Sequence, residues 1–204
     1  MFPKLTPATR AIILVNVLVY LLEKAATQSI LAHFALQPIA APEGVFRPWQ
    51  LVTYAFLHDP ANLTHILFNM FALYMFGPTL EQFWGGRRFI GYYFVCVIAA
   101  GATQLAVEHA MGSGEPTIGA SGAIFGILLA FALLFPRARL LLYFAIPVPA
   151  WLFVSGYAVL ELFFGVTGRQ GGVAHFAHLG GMLGGALVML YWRLRPDRGG
   201  WRPT

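Results

Sequence analysis

The chain has little charge and almost no cysteine. Charged residues make up 10% of its 204 residues, hydrophobic residues make up 58%, and the mean hydropathy is +0.69. This balance argues against a water-soluble globular domain, in which charged residues ordinarily make up about 25%. Cys96 is the only cysteine, so an intrachain disulfide is excluded and Cys96 is interpreted as a packing residue. The composition predicts a chain embedded in a lipid bilayer.

The basic residues do not indicate a nucleic-acid partner. The net charge is +5, but the Lys and Arg residues lie in pairs between apolar runs and form no continuous basic stripe. The length accommodates about six spans of roughly 20 residues with short loops, and leaves no room for a separate soluble domain. We therefore predict one membrane domain over residues 1–204, with an N-terminal segment 1–7 and a basic tail 193–204 on the same side of the bilayer.

Glycine, proline and charged residues divide the chain into six apolar segments. The predicted spans are 8–22, 63–83, 89–107, 120–135, 150–166 and 173–192. The first also resembles the apolar part of a signal peptide, but no small-residue cleavage site follows it, so it is kept as a mature span. Prolines interrupt residues 27–64, which predicts a long loop in the membrane interface between the first two spans.

The distribution of Lys and Arg predicts the orientation. Six spans place both termini on one side, and only Lys24, Arg47 and Arg169 of the 13 Lys and Arg residues fall on the opposite side. Because cytoplasmic segments carry the excess of positive charge, both termini are expected in the cytoplasm. The compactness of the chain suggests a multi-pass protein of a bacterial inner membrane.

Polar residues occur at a common depth in three of the predicted spans. His65 and Asn69 lie in the first two turns of the second span, Ser121 in the first turn of the fourth, and His178 near the start of the sixth. At about 1.5 Å per residue, all four lie within roughly 10 Å of the outer interface. Polar side chains inside a bilayer usually face the bundle interior or a wet cavity, so the cluster predicts a functional site.

Glycines beside these residues predict close helix packing. Small residues three or four positions apart share a helix face and let a neighbouring backbone approach. The glycines concerned are Gly119 and Gly122 beside Ser121, and Gly181 and Gly185 on the face of His178. Such packing brings Ser121 within hydrogen-bond reach of His178, and Phe125, one turn after Ser121, is placed to pack on the imidazole ring.

The cluster contains the parts of a serine hydrolase site. A serine hydroxyl needs a neighbouring base, here His178, and the tetrahedral intermediate needs hydrogen-bond donors for its oxyanion. His65, Asn69 and the backbone N–H of Ser121 are the candidate donors. The two aspartates, Asp59 and Asp197, lie outside the spans, so a buried Ser-His-Asp triad is excluded and a Ser-His dyad remains.

These residues resemble the rhomboid family of intramembrane proteases. Gly119-Ala120-Ser121-Gly122 matches the family's GxSG motif, and two further matches occur in the family's order. They are His65 with Asn69 on the second span, and His178 with Gly181 and Gly185 on the sixth. The resemblance implies an all-α bundle of six transmembrane helices with an interfacial loop, a Ser-His dyad open to the outer side, oxyanion donors on the second span, and transmembrane proteins as substrates.

The chain departs from the family pattern at two positions. Trp49-Gln50 stands where relatives often have Trp-Arg, which bears on the anchoring of the interfacial loop rather than on the chemistry. Phe125 stands where relatives often have Tyr, and either ring can stack on the histidine. No cofactor is implied.

Several polar residues have structural alternatives. His175 and His178 resemble a metal pair, but no HExxH motif is present and further ligands would have to come from loops, so no metal is predicted. His175 is expected to cap or support the site, and His58 to form hydrogen bonds in its loop. Glu81 is expected to be a structural partner. For Glu161, packing is favoured over a role in orienting His178.

Three classes of function remain to be compared. A peptidase acting on membrane-spanning segments fits the cluster best. A non-catalytic relative would lack the serine or the histidine, and both are present. A transporter or channel would have charges at span centres and paired broken helices, which are scarce here. The expected partners are transmembrane substrates and the bilayer, and the oligomeric state stays open.

Overall fold

The computed structural model describes residues 3–39, 46–112, 114–142, 145–168 and 173–194. Within these ranges the chain forms seven α-helices. They are α1 Pro7–Phe34, α2 Gln50–Thr53, α3 Leu63–Trp84, α4 Gly86–Met111, α5 Ser121–Leu134, α6 Ala150–Thr167 and α7 His175–Leu194. A 3-10 turn, Tyr54–Phe56, follows α2, and a hairpin of β1 Arg139–Leu142 and β2 Ile146–Pro149 joins α5 to α6. The predicted basic tail beyond Leu194 lies outside the described residues.

The long helices have the length and composition of membrane spans. Helices α1, α3, α4 and α6 are each long and apolar enough to cross a bilayer, while α5 is a shorter apolar helix. Large apolar side chains remain exposed on their outer faces, for example Leu18 at 60%, Phe68 at 68% and Val159 at 67%. Apolar area of this extent is rarely left in water. The structure is therefore a helical membrane bundle, as the composition predicted.

The first helix is longer than the sequence suggested. We predicted that the span ends at Leu22 and that a loop begins at Thr27, but α1 continues to Phe34. The helix kinks at Ala26, where φ is −144° and ψ is 48°. Polar residues at this point led to the wrong boundary, although Thr27 Oγ1 donates to the Glu23 carbonyl at 2.6 Å and thus satisfies its hydroxyl within the helix.

The loop between α1 and α3 contains helical turns that were not predicted. Gln50 at the start of α2 is fully buried. Its Oε1 accepts the backbone N–H groups of Gln37 at 3.3 Å and Arg47 at 3.0 Å, and its Nε2 donates to the His33 carbonyl at 3.2 Å. Trp49 Nε1 donates to the same carbonyl at 3.1 Å. Gln50 therefore anchors the loop to the end of α1 through a neutral amide.

The β-hairpin between α5 and α6 was also missed. Arg139 pairs with Pro149 and Leu142 with Ile146 in an antiparallel register. Pro147 and Pro149 argue against a strand in the sequence, because proline cannot donate to a sheet ladder. A two-stranded ribbon has only edge strands, in which proline is tolerated.

Helix α7 packs most extensively against α4 and α5. A Cβ added at Gly181 would overlap the carbonyl oxygen of Gly122, and one added at Gly126 would lie 2.9 Å from the Gly181 oxygen. A Cβ at Gly185 would overlap the hydroxyl of Tyr92, which donates to the Gly126 carbonyl at 2.7 Å. The backbones of α5 and α7 are therefore in direct contact, which fixes the distance between the residues they carry.

Candidate active site

The structure brings Ser121 and His178 together. Ser121 is the first residue of α5 and His178 is the fourth residue of α7. Their Oγ and Nε2 atoms are 2.8 Å apart, which is a hydrogen-bond distance. His178 is 8% exposed and Ser121 is partly exposed, so the pair lies at the edge of the packed core rather than at its centre.

The ring of Phe125 fixes the plane of the His178 imidazole. The two rings are stacked, with centroids 4.3 Å apart and an interplanar angle of 9°. Phe125 lies one turn after Ser121 on α5, so the same helix carries the hydroxyl and the stacking ring. Tyr157 of α6 contacts Phe125 in turn, with centroids 5.8 Å apart.

Gly119 lies between Ser121 and His65. Its φ is +121°, a conformation that favours glycine. A Cβ at this position would lie 2.9 Å from His65 Nε2 and 3.7 Å from Ser121 Oγ. Its N–H donates to the Tyr54 carbonyl at 3.0 Å, which ties this turn to the interfacial loop. His65 Nε2 and Ser121 Oγ therefore both lie within 4 Å of the point that a Gly119 Cβ would occupy.

Asn69 lies one turn further along α3 than His65. Its side chain is 7% exposed, and Nδ2 donates to the His65 carbonyl at 2.8 Å. His65 Nδ1 accepts the N–H of Asp59 at 3.3 Å, which leaves Nε2 as the nitrogen near Gly119. A carboxamide has two N–H donors, so Asn69 retains one beyond its bond to the helix.

The backbone N–H of Ser121 belongs to the first turn of α5. The N–H groups of a first helical turn have no partner inside the helix, and the helix dipole places partial positive charge there. An oxyanion beside Ser121 Oγ would therefore lie near the positive end of the α5 dipole, which stabilises negative charge.

Gln104 supports the site and was not singled out from the sequence. Its Oε1 accepts the N–H of Ala177 at 3.0 Å, and its Nε2 donates to Glu108 Oε1 at 2.8 Å. Ala177 precedes His178, so Gln104 holds the start of α7 against α4. The sequence feature that could have identified Gln104 is a glutamine on the buried face of an apolar span.

Glu161 is a second residue, after Gln104, whose place in the site was underestimated from the sequence. Its Oε2 lies 2.6 Å from His175 Nδ1 and 2.9 Å from His178 Nδ1. From the sequence we favoured packing for this residue over a role in orienting His178. The structure places its carboxylate directly behind the imidazole of His178, and His175 is held by the same oxygen.

The same three residues have the composition of a metal site but not its spacing. Candidate ligand atoms of Glu161, His175 and His178 lie within 4.8 Å of one another. Ligands about 2.0–2.1 Å from a tetrahedral zinc ion are roughly 3.3 Å apart. The 2.6 and 2.9 Å separations are shorter, and fit direct contacts between carboxylate and imidazole.

His58 forms a hydrogen bond through its backbone N–H, which donates to the Glu23 carboxylate, but not through its ring as expected. Its side chain is fully buried, and its two ring nitrogens have no hydrogen-bond partner among the described residues. Burial and, to a smaller extent, the neighbouring His65 together lower the pKa of His58 to about 3. His58 is therefore a neutral packing residue whose ring centroid lies 5.0 Å from that of His65.

Glu81 is a structural partner in the described contacts. Its carboxylate accepts the backbone N–H groups of Ala8 at 2.9 Å and Thr9 at 2.7 Å, and the Thr9 hydroxyl at 2.9 Å. Thr6 Oγ1 also donates to it. Glu81 thus satisfies the open N–H groups at the start of α1 and holds that end against α3.

The structure defines the class of protein: a helical membrane bundle with a Ser-His pair at the edge of its packed core. Comparison with known proteins gives the family. Residues 45–195 match the family model of the rhomboid domain. The chain belongs to the rhomboid family. It is 36% identical over 141 residues to the mitochondrial Rhomboid protein 1 of Saccharomyces cerevisiae, covering 67% of this chain and 40% of that protein.

Two other relatives match a larger share of this chain. The mitochondrial RHOMBOID-like protein 12 of Arabidopsis thaliana is 34% identical over 167 residues, covering 72% of this chain and 47% of that protein. The Rhomboid-like protease 1 of Toxoplasma gondii is 29% identical over 185 residues, covering 86% of this chain and 57% of that protein. The chain thus spans about half the length of these curated relatives.

The comparisons correct the expected location. We predicted a bacterial inner membrane with cytoplasmic termini and an outward-facing site, but the yeast and Arabidopsis relatives are both mitochondrial. The assignment to a bacterial membrane was wrong because it relied on the compactness of the chain, which carries no information about the membrane. The multi-pass character agrees with the apolar helices.

Proposed function

We propose that this protein is an intramembrane serine endopeptidase that hydrolyses peptide bonds in or near transmembrane segments of other proteins. The observation that carries the proposal is the 2.8 Å approach of Ser121 Oγ to His178 Nε2. Membership of the rhomboid family supports it, as does the printed name of the Toxoplasma relative, a rhomboid-like protease.

In the proposed reaction, Ser121 Oγ attacks the carbonyl carbon of the scissile bond while His178 Nε2 takes the hydroxyl proton. The resulting tetrahedral intermediate collapses to an acyl-enzyme as the same proton passes to the leaving amine. Water then attacks the acyl carbon while His178 takes its proton. Collapse of the second tetrahedral intermediate breaks the ester bond, releases the carboxylic acid product and returns the proton to Ser121 Oγ. The stacked ring of Phe125 keeps Nε2 directed at Oγ throughout.

Three donors stabilise the oxyanion in this proposal: His65 Nε2–H, the Asn69 amide and the Ser121 N–H. The proximity of His65 to Ser121 across Gly119 supports the assignment. Donors aimed at developing charge usually make the largest electrostatic contribution to such reactions.

We further propose that six helices, α1 and α3 to α7, cross the bilayer and that the α5–α7 contact sets the depth of the site. Substrates are membrane-spanning segments that reach the site within the membrane. By analogy with the mitochondrial relatives, the membrane is a mitochondrial one.

A serine-directed covalent probe tests the proposal. The purified full chain in detergent is treated with a fluorophosphonate and digested, and the labelled peptide is identified by mass spectrometry. We expect labelling at Ser121, together with loss of cleavage of a reconstituted transmembrane substrate. Cleavage that persists after complete labelling of Ser121 contradicts a serine peptidase. Labelling of an enzyme that shows no cleavage before treatment contradicts it as well.

Substrate selectivity is expected to follow local helix stability. A peptide bond inside a regular helix is shielded by its hydrogen bonds, so the segment must unwind before attack. Replacing two leucines near one end of a model transmembrane substrate by Gly or Pro should raise the cleavage rate, because these residues cost about 1 and 3 kcal/mol in a helix. The comparison is made with an all-leucine segment of equal length, and equal rates contradict the unwinding step.

Removing one oxyanion donor is expected to lower turnover. We expect Asn69→Ala to reduce the turnover number by about 10²- to 10³-fold, with little change in KM or melting temperature. Asn16 is the matched control, because its Nδ2 bonds the Ile12 carbonyl at 2.8 Å in the same way and it is fully buried in α1. Asn16→Ala should lower stability and leave turnover per folded molecule unchanged. A destabilised Asn69→Ala protein with full specific activity would remove Asn69 from the site.

A further inference from the structure

Glu161 faces the inside of the bundle, unlike most side chains of α6. The buried residues of α6 are Ala150, Val154 and Glu161, while apolar side chains such as Leu160 and Leu162 are exposed. A lipid-facing carboxylate carries a large free-energy penalty, and a buried one still requires compensation by partners. Helix α6 therefore directs its one acidic residue to the inside of the bundle, towards α7.

The partners of this carboxylate are two imidazoles of α7. Glu161 Oε2 forms an aligned hydrogen bond with His175 Nδ1 at 2.6 Å. It also lies 2.9 Å from His178 Nδ1, an ion-pair distance at which no aligned hydrogen bond is made. Catalytic hydrogen bonds are often poorly aligned before substrate binds and tighten in the reacting complex. Glu161 Oε2 is thus close enough to accept a hydrogen bond from Nδ1 of either histidine.

The contact with His178 occurs on the nitrogen that does not face the serine. For Nε2 to accept the Ser121 proton, the neutral ring must carry its hydrogen on Nδ1. An acceptor beside Nδ1 favours this tautomer, and a carboxylate stabilises the imidazolium that forms when the proton is transferred. Glu161 is that acceptor, and the described contacts of Nδ1 include no aligned alternative.

We infer that Glu161 is a positioning residue that completes a Ser121–His178–Glu161 arrangement, with His175 holding the carboxylate in place. The inference rests on the proposed peptidase activity and adds a third group to its dyad. No protein atom other than those of Ser121 and His178 exchanges a proton in this arrangement, because the carboxylate stays ionised and acts through the imidazole.

The test compares Glu161→Gln with the wild type and with Glu81→Gln in the same detergent preparation. Glutamine keeps the size of the side chain, but its amide can donate to Nδ1 and so stabilise the wrong tautomer. We expect Glu161→Gln to lower kcat by about 10²- to 10⁴-fold and to leave KM within about threefold. Glu161→Asp, which retains the charge on a shorter side chain, should recover part of the loss.

Glu81→Gln is the matched control, because Glu81 is also a buried carboxylate but contacts the start of α1. It should lower the melting temperature without changing kcat per folded molecule. A Glu161→Gln protein that melts earlier but keeps the wild-type kcat overturns the inference and leaves the dyad standing. Absence of turnover in the wild type, or turnover by Ser121→Ala, refutes the proposed function itself.

Two further measurements cover the remaining outcomes. If Glu161→Gln does not fold, ¹⁵N-histidine NMR of the wild type decides. The inference requires His178 to carry its hydrogen on Nδ1, and a neutral ring with its hydrogen on Nε2 overturns it.

If EDTA removes wild-type activity and zinc restores it, Glu161, His175 and His178 bind a metal, and the positioning role is wrong.

Discussion

Ser121→Ala and His178→Ala are each expected to abolish cleavage of a transmembrane substrate. Removing the nucleophile or the base of a serine protease lowers turnover by about 10⁶-fold. The 2.8 Å contact between Oγ and Nε2 means that the two groups act as a unit. The double variant should therefore be little worse than either single variant. Turnover is measured on purified protein, with a melting curve for every variant to establish folding.

Ser155→Ala is the matched control for the nucleophile. Ser155 is an exposed serine of α6, so its removal should leave turnover unchanged. Appreciable turnover by Ser121→Ala would exclude the serine as nucleophile. Strictly multiplicative losses in the double variant would show that Ser121 and His178 act independently, which contradicts a shared proton transfer.

Gly181→Ala is expected to have the second largest effect, by separating α5 from α7. An added Cβ would overlap the carbonyl oxygen of Gly122, a backbone atom that cannot move without moving the helix. Overpacking of a core typically costs about 1–3 kcal/mol, and we expect a loss at or above the upper end. Because a misplacement of about 1 Å can cost 10²-fold in rate, the surviving folded protein should turn over at least about 10²-fold more slowly.

Gly91→Ala provides the control for this substitution. Gly91 lies in α4, and a Cβ added there meets no heavy atom within 4 Å. Alanine is the better helix former, so this variant should be as stable as the wild type or slightly more stable. A Gly181→Ala protein with unchanged stability and turnover would show that the α5–α7 contact has room that the structure does not indicate.

Sequence spacing was sufficient for the parts of the site that lie on one helix. Ser121 and Phe125 are one turn apart on α5, as are His65 and Asn69 on α3, so their relative directions follow from helix periodicity. Apolar runs and glycine pairs also indicated which helices pack closely. The limits of α1 were wrong because Thr27 satisfies its hydroxyl within the helix, while Glu23 accepts the His58 N–H and Lys24 donates to the Pro60 carbonyl. Composition does not reveal these hydrogen bonds.

Taken alone, the sequence determined that the chain is a membrane protein, since hydropathy and span length follow directly from composition. It also predicted that Ser121, His178, His65 and Asn69 lie at a common depth. The identity of the group behind His178 depends on tertiary packing. The rotation of α6 about its axis depends on packing against α5 and α7, and nothing in the local pattern around Glu161 fixes that angle. The pairing of Glu161 with His175 and His178 spans 14 residues or more, so it exists only once the two helices are in contact.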